Sequence, residues 1–329
     1  MKFKFAMRAK AGALAVLLAW SAAAVAQAPA APGATIRLVV PAAPGGSTDI
    51  LARNLGRIIQ EQTGTAIIVD NKAGAGGAIG AAAVARAAPD GLTVLMTVPD
   101  AITVLPSLRK DLPYNVDRDL VPIALVAETS WVFAVNAKSP AKTIQDLLRM
   151  AASRRGGFTF ASPGIGTSAH LITEMLAQKA NVQMLHVPYK GGGPATTALV
   201  GGEVELLATS PIGVKGMVDS GQLRALVMTG GMRSSVMPDV PTLAESGFPG
   251  FVASAWYGLF APAGLSPARA ERLEEMVQAA ARSPTFLKQL EQMGLESRYM
   301  GHGDFTQFLV ADSARWRDVI ANARNKLTD

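Results

Sequence analysis

Apolar positions along this chain alternate between two rhythms. Short β-rich runs such as Ile36–Val40, Ala66–Val69 and Leu92–Thr97 read as buried strands, and Leu51, Leu55 and Ile58 recur at helical spacing between them. The first helix is expected to open near Ser47 or Thr48 and to stop at Gly64, and an Ala-rich helix to end near Ala88 before the Pro89-Asp90-Gly91 turn. Ile123–Ala127 and Trp131–Val135 read as strands separated by a polar break, Glu128-Thr129-Ser130, where the chain is expected to cross into a second lobe. Further on, a helix at Thr143–Ser153, a strand at Phe158–Ala161 and a helix at His170–Ala180 repeat the order. Strands at Met184–Val187, Val204–Ala208 and Leu223–Met228 complete that lobe. Ala253–Phe260 is a returning strand, and the tail reads as helices over Pro267–Ala281, Pro284–Met293 and Phe305–Ala323. Strands alternating with helices predict an α/β fold with mainly parallel sheets covered on both faces.

One device occurs twice. Arg37 to Asp49 and Phe158 to His170 each run from an apolar strand through a Pro-Gly turn of small residues into a helix. Small residues let a ligand approach the backbone N–H groups, and the first N–H groups of a helix lack internal partners and carry the positive end of its dipole. Two such anion-attracting ends in one chain predict a pincer for a small carboxylate.

The charge changes the picture at the N-terminus. Lys2, Lys4, Arg8 and Lys10 precede an apolar stretch from Ala11 that ends in Ala24-Val25-Ala26, so residues 1–26 read as a cleaved secretory signal. Its removal takes the formal charge of +6 down by four to +2, which withdraws the main support for a nucleic-acid partner. An Ala/Pro linker follows to Ala34. With 49% hydrophobic and 17% charged residues over 329 positions, the remainder has enough apolar content for two ordinary cores. The absence of cysteine excludes disulfides, thiolate catalysis and Cys-based metal sites. The expected lobes are 27–127 plus 253–329, and 128–252; the expected location is the periplasm.

Candidate chemistry follows from the turns. Ser47, Thr48, Thr167 and Ser168 can cap their helices or donate hydroxyls to a ligand. Asp49 can favour its helix dipole or accept from a ligand ammonium. His170, in the first turn after the second loop, can offer a positive or hydrogen-bonding imidazole, whereas His186 reads as a packed strand residue and His302 as solvent-facing. Tyr189-Lys190 can supply an aromatic wall and a cation. Gly74 to Gly80 fits the dinucleotide fingerprint poorly, since Ile79 stands where its last Gly belongs, and no Gly-Lys-Ser/Thr follows a Gly loop. Three scattered histidines make a metal site improbable. Neither a metal nor a cofactor is expected. An exported hydrolase or isomerase is the rival class, with Ser168 and His170 as its one nearby nucleophile–base candidate, although no G-x-S-x-G elbow surrounds the serine.

The ordered set Pro44-Gly45-Gly46-Ser47-Thr48-Asp49, Val69 to Gly77, Ala88-Pro89-Asp90-Gly91, Gly164 to His170, His186 to Gly191, Pro238 to Thr242 and Gly258 to Gly264 resembles the periplasmic receptors of tripartite tricarboxylate transporters, the Bordetella uptake gene (Bug) type. The resemblance spans essentially the whole chain after the signal. It implies a two-lobed periplasmic binding protein of the type II-like Venus-flytrap kind, without catalysis, holding a small carboxylate between the lobes. The loop matching Ala42 to Asp49, including Ala43, Gly45 and Gly46, is implied to grip the carboxylate through main-chain N–H groups. The loop matching Ser162 to His170, including Gly164 and Gly166, is implied to close from the other side. Where the family commonly has an Asp after Ala208, this chain has Thr209, and a neutral hydroxyl cannot pair with an ammonium, so a plain organic acid is favoured over an amino acid. Membrane permease subunits or a sensor are the implied partners of a monomeric receptor.

Overall fold

The computed structural model describes residues 35–154 and 157–321; the expected signal at 1–26 and the linker after it lie outside the described residues. In chain order the elements are β1 (Ile36–Val40), α1 (Ser47–Thr63), β2 (Ile67–Asn71), α2 (Ala78–Ala85) and β3 (Thr93–Thr97). A π-type turn, Asp100–Val104, leads into α3 (Leu105–Leu108), then α4 (Val116–Asp119) and β4 (Leu120–Ser130). There follow β5 (Val132–Asn136), α5 (Ile144–Ser153), β6 (Phe158–Ser162), α6 (Ser168–Lys179), β7 (Met184–Pro188), α7 (Gly192–Gly201), β8 (Leu206–Thr209), α8 (Pro211–Asp219) and β9 (Leu223–Met228). The chain ends in β10 (Ser254–Pro262), α9 (Pro267–Ala281), α10 (Pro284–Gln292), β11 (Glu296–Gly301) and α11 (His302–Ala321).

These strands form two sheets, β11-β4-β10-β3-β1-β2 and β7-β6-β8-β5-β9. The α/β architecture with two sheets is as expected, but the sheets are mixed where mainly parallel ones were expected. β2-β1-β3 and β7-β6-β8 are parallel, while β10, β4 and β11 in one sheet and β5 and β9 in the other pair antiparallel. The reason lies in the connections. β4 carries the chain out of the first sheet and β10 carries it back, so the two run in opposite directions side by side.

The expected break at Glu128-Thr129-Ser130 is not a break: β4 continues through it to Ser130. Its polar side chains are held in place. Arg298 on β11 donates to Glu128 Oε2 at 2.5 Å, and Thr129 and Ser130 pair with Ala255 and Ser254 of β10. The outgoing connection between the sheets is therefore the single residue Trp131. Its N–H donates to Thr229 Oγ1 (2.9 Å), whose hydroxyl donates to Ala253 O (2.6 Å), so the outgoing and returning segments are stitched to each other.

Apolar clusters cover both faces of each sheet. Leu38, Leu51, Leu55, Met96 and Tyr257 centre one face of the first sheet, and Leu95, Trp256, Phe260 and Phe305 the other. Phe133, Phe158, Phe160, Leu176 and Trp316 form the larger cluster of the second sheet. α11 spans both regions, with Phe305 and Leu309 against the first sheet and Trp316 in the second core.

Candidate functional site

The parallel strands of each sheet end at the same edge, where open α/β sheets bind ligands. β1 delivers the first glycine loop, Pro41 to Gly46, into α1, and β6 delivers the second, Pro163 to Thr167, into α6. The two loops turn out to be filled differently.

In the first loop, Gly45 adopts φ +82°, a left-handed conformation that a side chain strains, and Ala43, Pro44, Gly45 and Gly46 are exposed. Gly46 caps α1 without any side-chain hydrogen bond. Among the described residues no acceptor meets the N–H groups of Ser47, Thr48 or Asp49. This helix end is open. The side chain of Asp49, which the sequence offered to a ligand ammonium, is instead consumed internally. It is 3% exposed, and accepts from Gly45 N–H (2.9 Å), Asn71 Nδ2 (3.0 Å) and Arg53 Nε (3.1 Å). Burial pushes its carboxyl up, but the Arg53, Gly45 and Asn71 bonds outweigh that, and it sits below its ordinary value. Asn71, at the end of β2, also donates to Ala42 O (3.1 Å) and ties both sides of the loop together. Tyr257 on β10 donates to Ser47 Oγ at 3.2 Å; burial raises its hydroxyl to about 12, so it stays a donor.

In the second loop, Gly166, Thr167, Ser168 and His170 are buried. Gly166 has φ +74°, a left-handed conformation that a side chain strains, and a Cβ there would lie 2.5 Å from Leu108 Cδ2 on α3. Thr167 caps α6 by accepting from the His170 N–H. Ser168 donates both its N–H (2.9 Å) and its hydroxyl to Oδ1 of Asp100, at the start of the π turn after β3. Here the helix end already holds a carboxylate, one belonging to the protein.

His170 stands where the sequence places it but is neither cationic nor free. Its Nδ1 accepts from Gly166 N–H (3.1 Å), and its ring stacks on His186 at 3.7 Å between centroids. Burial, with the neighbouring His186 adding to it, pushes its pKa down to about 3; burial takes His186 to about 4. Both are therefore neutral at physiological pH. His186 is hydrogen-bonded to Ser162 Oγ (2.6 Å), and that hydroxyl donates to Gly164 O (2.9 Å). His302 is exposed, as expected, and its Nδ1 donates to Pro122 O at 2.7 Å.

The remaining candidates lie further along the same edge. Tyr189 directs its hydroxyl to Glu203 Oε2 (3.4 Å), Lys190 is exposed, and Thr209 is half-buried at the end of β8. Ser168 and His170 do not form a nucleophile–base pair, because the serine donates to Asp100 and His170 Nδ1 accepts from Gly166. Sequence reasoning missed three residues: Asn71, Asp100 and Tyr257. Asn71 lay inside a quoted motif; the other two carry no local signal, since each acts on a partner far away in the chain.

Fold and loops together define a periplasmic-binding-protein architecture. The pattern described as "Tripartite tricarboxylate transporter family receptor" matches residues 51–325, and this chain belongs to that family of non-enzymatic receptors. It is 36% identical over 298 residues to the protein BugT of Bordetella pertussis, covering 90% of this chain and 91% of that one. Its fold matches the periplasmic binding protein BugD (TM-score 0.81, 31% identity, 88% of this chain and 97% of that one). It also matches R. palustris Rpa4515 with adipate (0.85, 28%, 89% and 98%) and MatC from Rhodopseudomonas palustris with bound malate (0.79, 30%, 87% and 98%).

Proposed function

We propose that this protein is a periplasmic receptor that captures a small organic carboxylate and presents it to a membrane permease or a sensor. One observation carries the reading: three adjacent N–H groups, those of Ser47, Thr48 and Asp49, meet no acceptor among the described residues, at a helix end beneath an exposed glycine loop. A carboxylate there takes charge-assisted hydrogen bonds from a partly positive helix end. Asp49, Asn71 and Arg53 hold the loop in shape beforehand, so little ordering remains for the ligand to bring about. That two relatives of known structure hold adipate and malate supports the same ligand class.

The second loop, with Gly164, Gly166, Thr167, Ser168 and His170, approaches from the other sheet as the far wall, and Tyr189, Lys190 and Thr209 border it. The lobes are 27–127 with 253–329, and 128–252, closing about Trp131 and Ala253. Residues 1–26 serve as the export signal, and the mature receptor acts as a monomer.

A thermal-shift screen of the chain from Gln27 onward tests this. Short carboxylates should raise the melting temperature, whereas their methyl esters and amides lacking any carboxylate should not, because a neutral ligand leaves the N–H groups poorly paired. Stabilisation by neutral compounds with no response to any carboxylate would sink the assignment.

A further inference from the structure

The two helix ends are not equivalent. The end of α1 is open, while the end of α6 is filled by Asp100, which reaches across from the edge of the first sheet. We propose that Asp100 is a specificity-determining residue that restricts this receptor to ligands with a single carboxylate and a hydrogen-bond donor at the opposite end. The proposal rests on the reading that the ligand carboxylate sits at the start of α1.

Four observations carry it. First, α6 does not need Asp100 as its cap, because Thr167 already fills that role. Second, both bonds from Ser168 go to Oδ1, and among the described residues Oδ2 has no partner. One oxygen is thus anchored while the other remains free to accept from a ligand. Third, among the described residues no cation contacts Asp100, so a second carboxylate brought beside it would meet an uncompensated like charge. Fourth, the site is close to the first loop. Ala101, the next residue, and Pro41, which opens that loop, flank the same glycine: a Cβ on Gly77 would lie 3.3 Å from Ala101 Cβ and 3.4 Å from Pro41 Cβ. Burial raises the Asp100 carboxyl, and the two Ser168 bonds act against that rise.

The discrimination works by repulsion as much as by attraction. A diacid offers its second carboxylate to a carboxylate; its monoamide offers an N–H donor to the free Oδ2.

Matched pairs test the idea by calorimetry: succinate against succinamate, and adipate against adipamate. The wild-type protein should prefer the monoamide by at least about tenfold. In Asp100→Asn and Asp100→Ala, that preference should collapse to about twofold or reverse, because the charge is gone and Ser168 can serve the ligand. A merely structural role for Asp100 would weaken both ligands in parallel and leave the ratio unchanged, which would overturn the proposal. So would tighter binding of the diacids by the wild type, without touching the carboxylate reading. Binding of none of the four ligands by the wild type would overturn the proposal, while the carboxylate reading stands or falls on the wider thermal-shift screen.

Discussion

Asp49 shows how a residue in a binding loop can serve the loop and not the ligand. Its carboxylate is buried, yet it is met by a main-chain N–H, an amide and a guanidinium, which satisfies the rule that a buried charge needs partners. Asn71 is the least replaceable of these, because among the described residues it alone bonds to both Asp49 and the Ala42 carbonyl. Asn71→Ala should lower the unfolding free energy by about 1–3 kcal/mol, the range for leaving buried polar groups without a partner. It should also weaken carboxylate binding, since the loop then has to be ordered by the ligand. Urea unfolding and calorimetry on the same variant would check both. Unchanged stability with unchanged affinity would mean that Arg53 and Gly45 suffice to hold Asp49.

At the scale of elements, what was legible in the chain was local and what was not was remote. β1, β9 and α9 stand where apolar periodicity and helix signals place them, because burial of their own side chains and, for α9, the proline that opens it decide them. Both glycine turns likewise follow their strands. The occupants of those turns were not readable: Asp100 lies 68 residues from Ser168, and Tyr257 lies 210 residues from Ser47. β4 ran on through polar residues because its neighbours β10 and β11 supply the partners, and β11 itself, an edge strand without clean alternation, gave no pattern to read.

The entry to α6 has a pH dependence that follows from its stacked histidines. Unfolded, each titrates near its ordinary value of 6.5; folded, His170 does so near 3 and His186 near 4. Between those limits the unfolded chain binds more protons, so stability is full above about pH 6.5 and falls as the pH drops toward 4. The slope should approach about 1.4 kcal/mol per pH unit for each histidine. His186→Phe keeps an aromatic ring against His170 while removing one titrating group, and should roughly halve the slope measured by urea unfolding from pH 6.5 to 4.5. An unaltered slope would place the acid sensitivity outside the stacked histidine pair.

For the molecule as a whole, the question is what makes two sheets joined by so little chain behave as a unit. Trp131 and the segment ending at Ala253 are the connections, but α11 adds a third tie of a different kind. Asp312, in the middle of that helix and 4% exposed, accepts from Thr103 Oγ1 (2.7 Å), Trp256 Nε1 (3.0 Å) and Arg315 (2.6 Å). Thr103 belongs to the π turn that begins at Asp100, and Trp256 to the returning strand. One helical turn beyond Asp312, Trp316 is buried in the core of the second sheet. A single carboxylate thus fixes the register of a helix shared by both cores, and through Thr103 it also steadies the turn that carries Asp100. Asp312→Ala should cost about 2–4 kcal/mol, because Thr103 and the Trp256 indole lose their buried acceptor while half-exposed Arg315 can return to water. Asp312→Asn keeps an acceptor oxygen for those two donors and should cost distinctly less. If α11 couples the cores, calorimetry of Asp312→Ala should show a broadened or divided unfolding transition where the wild type shows one. A sharp single transition shifted to lower temperature would mean that the Trp131 and Ala253 crossings, with Thr229 between them, suffice to make the two sheets unfold together.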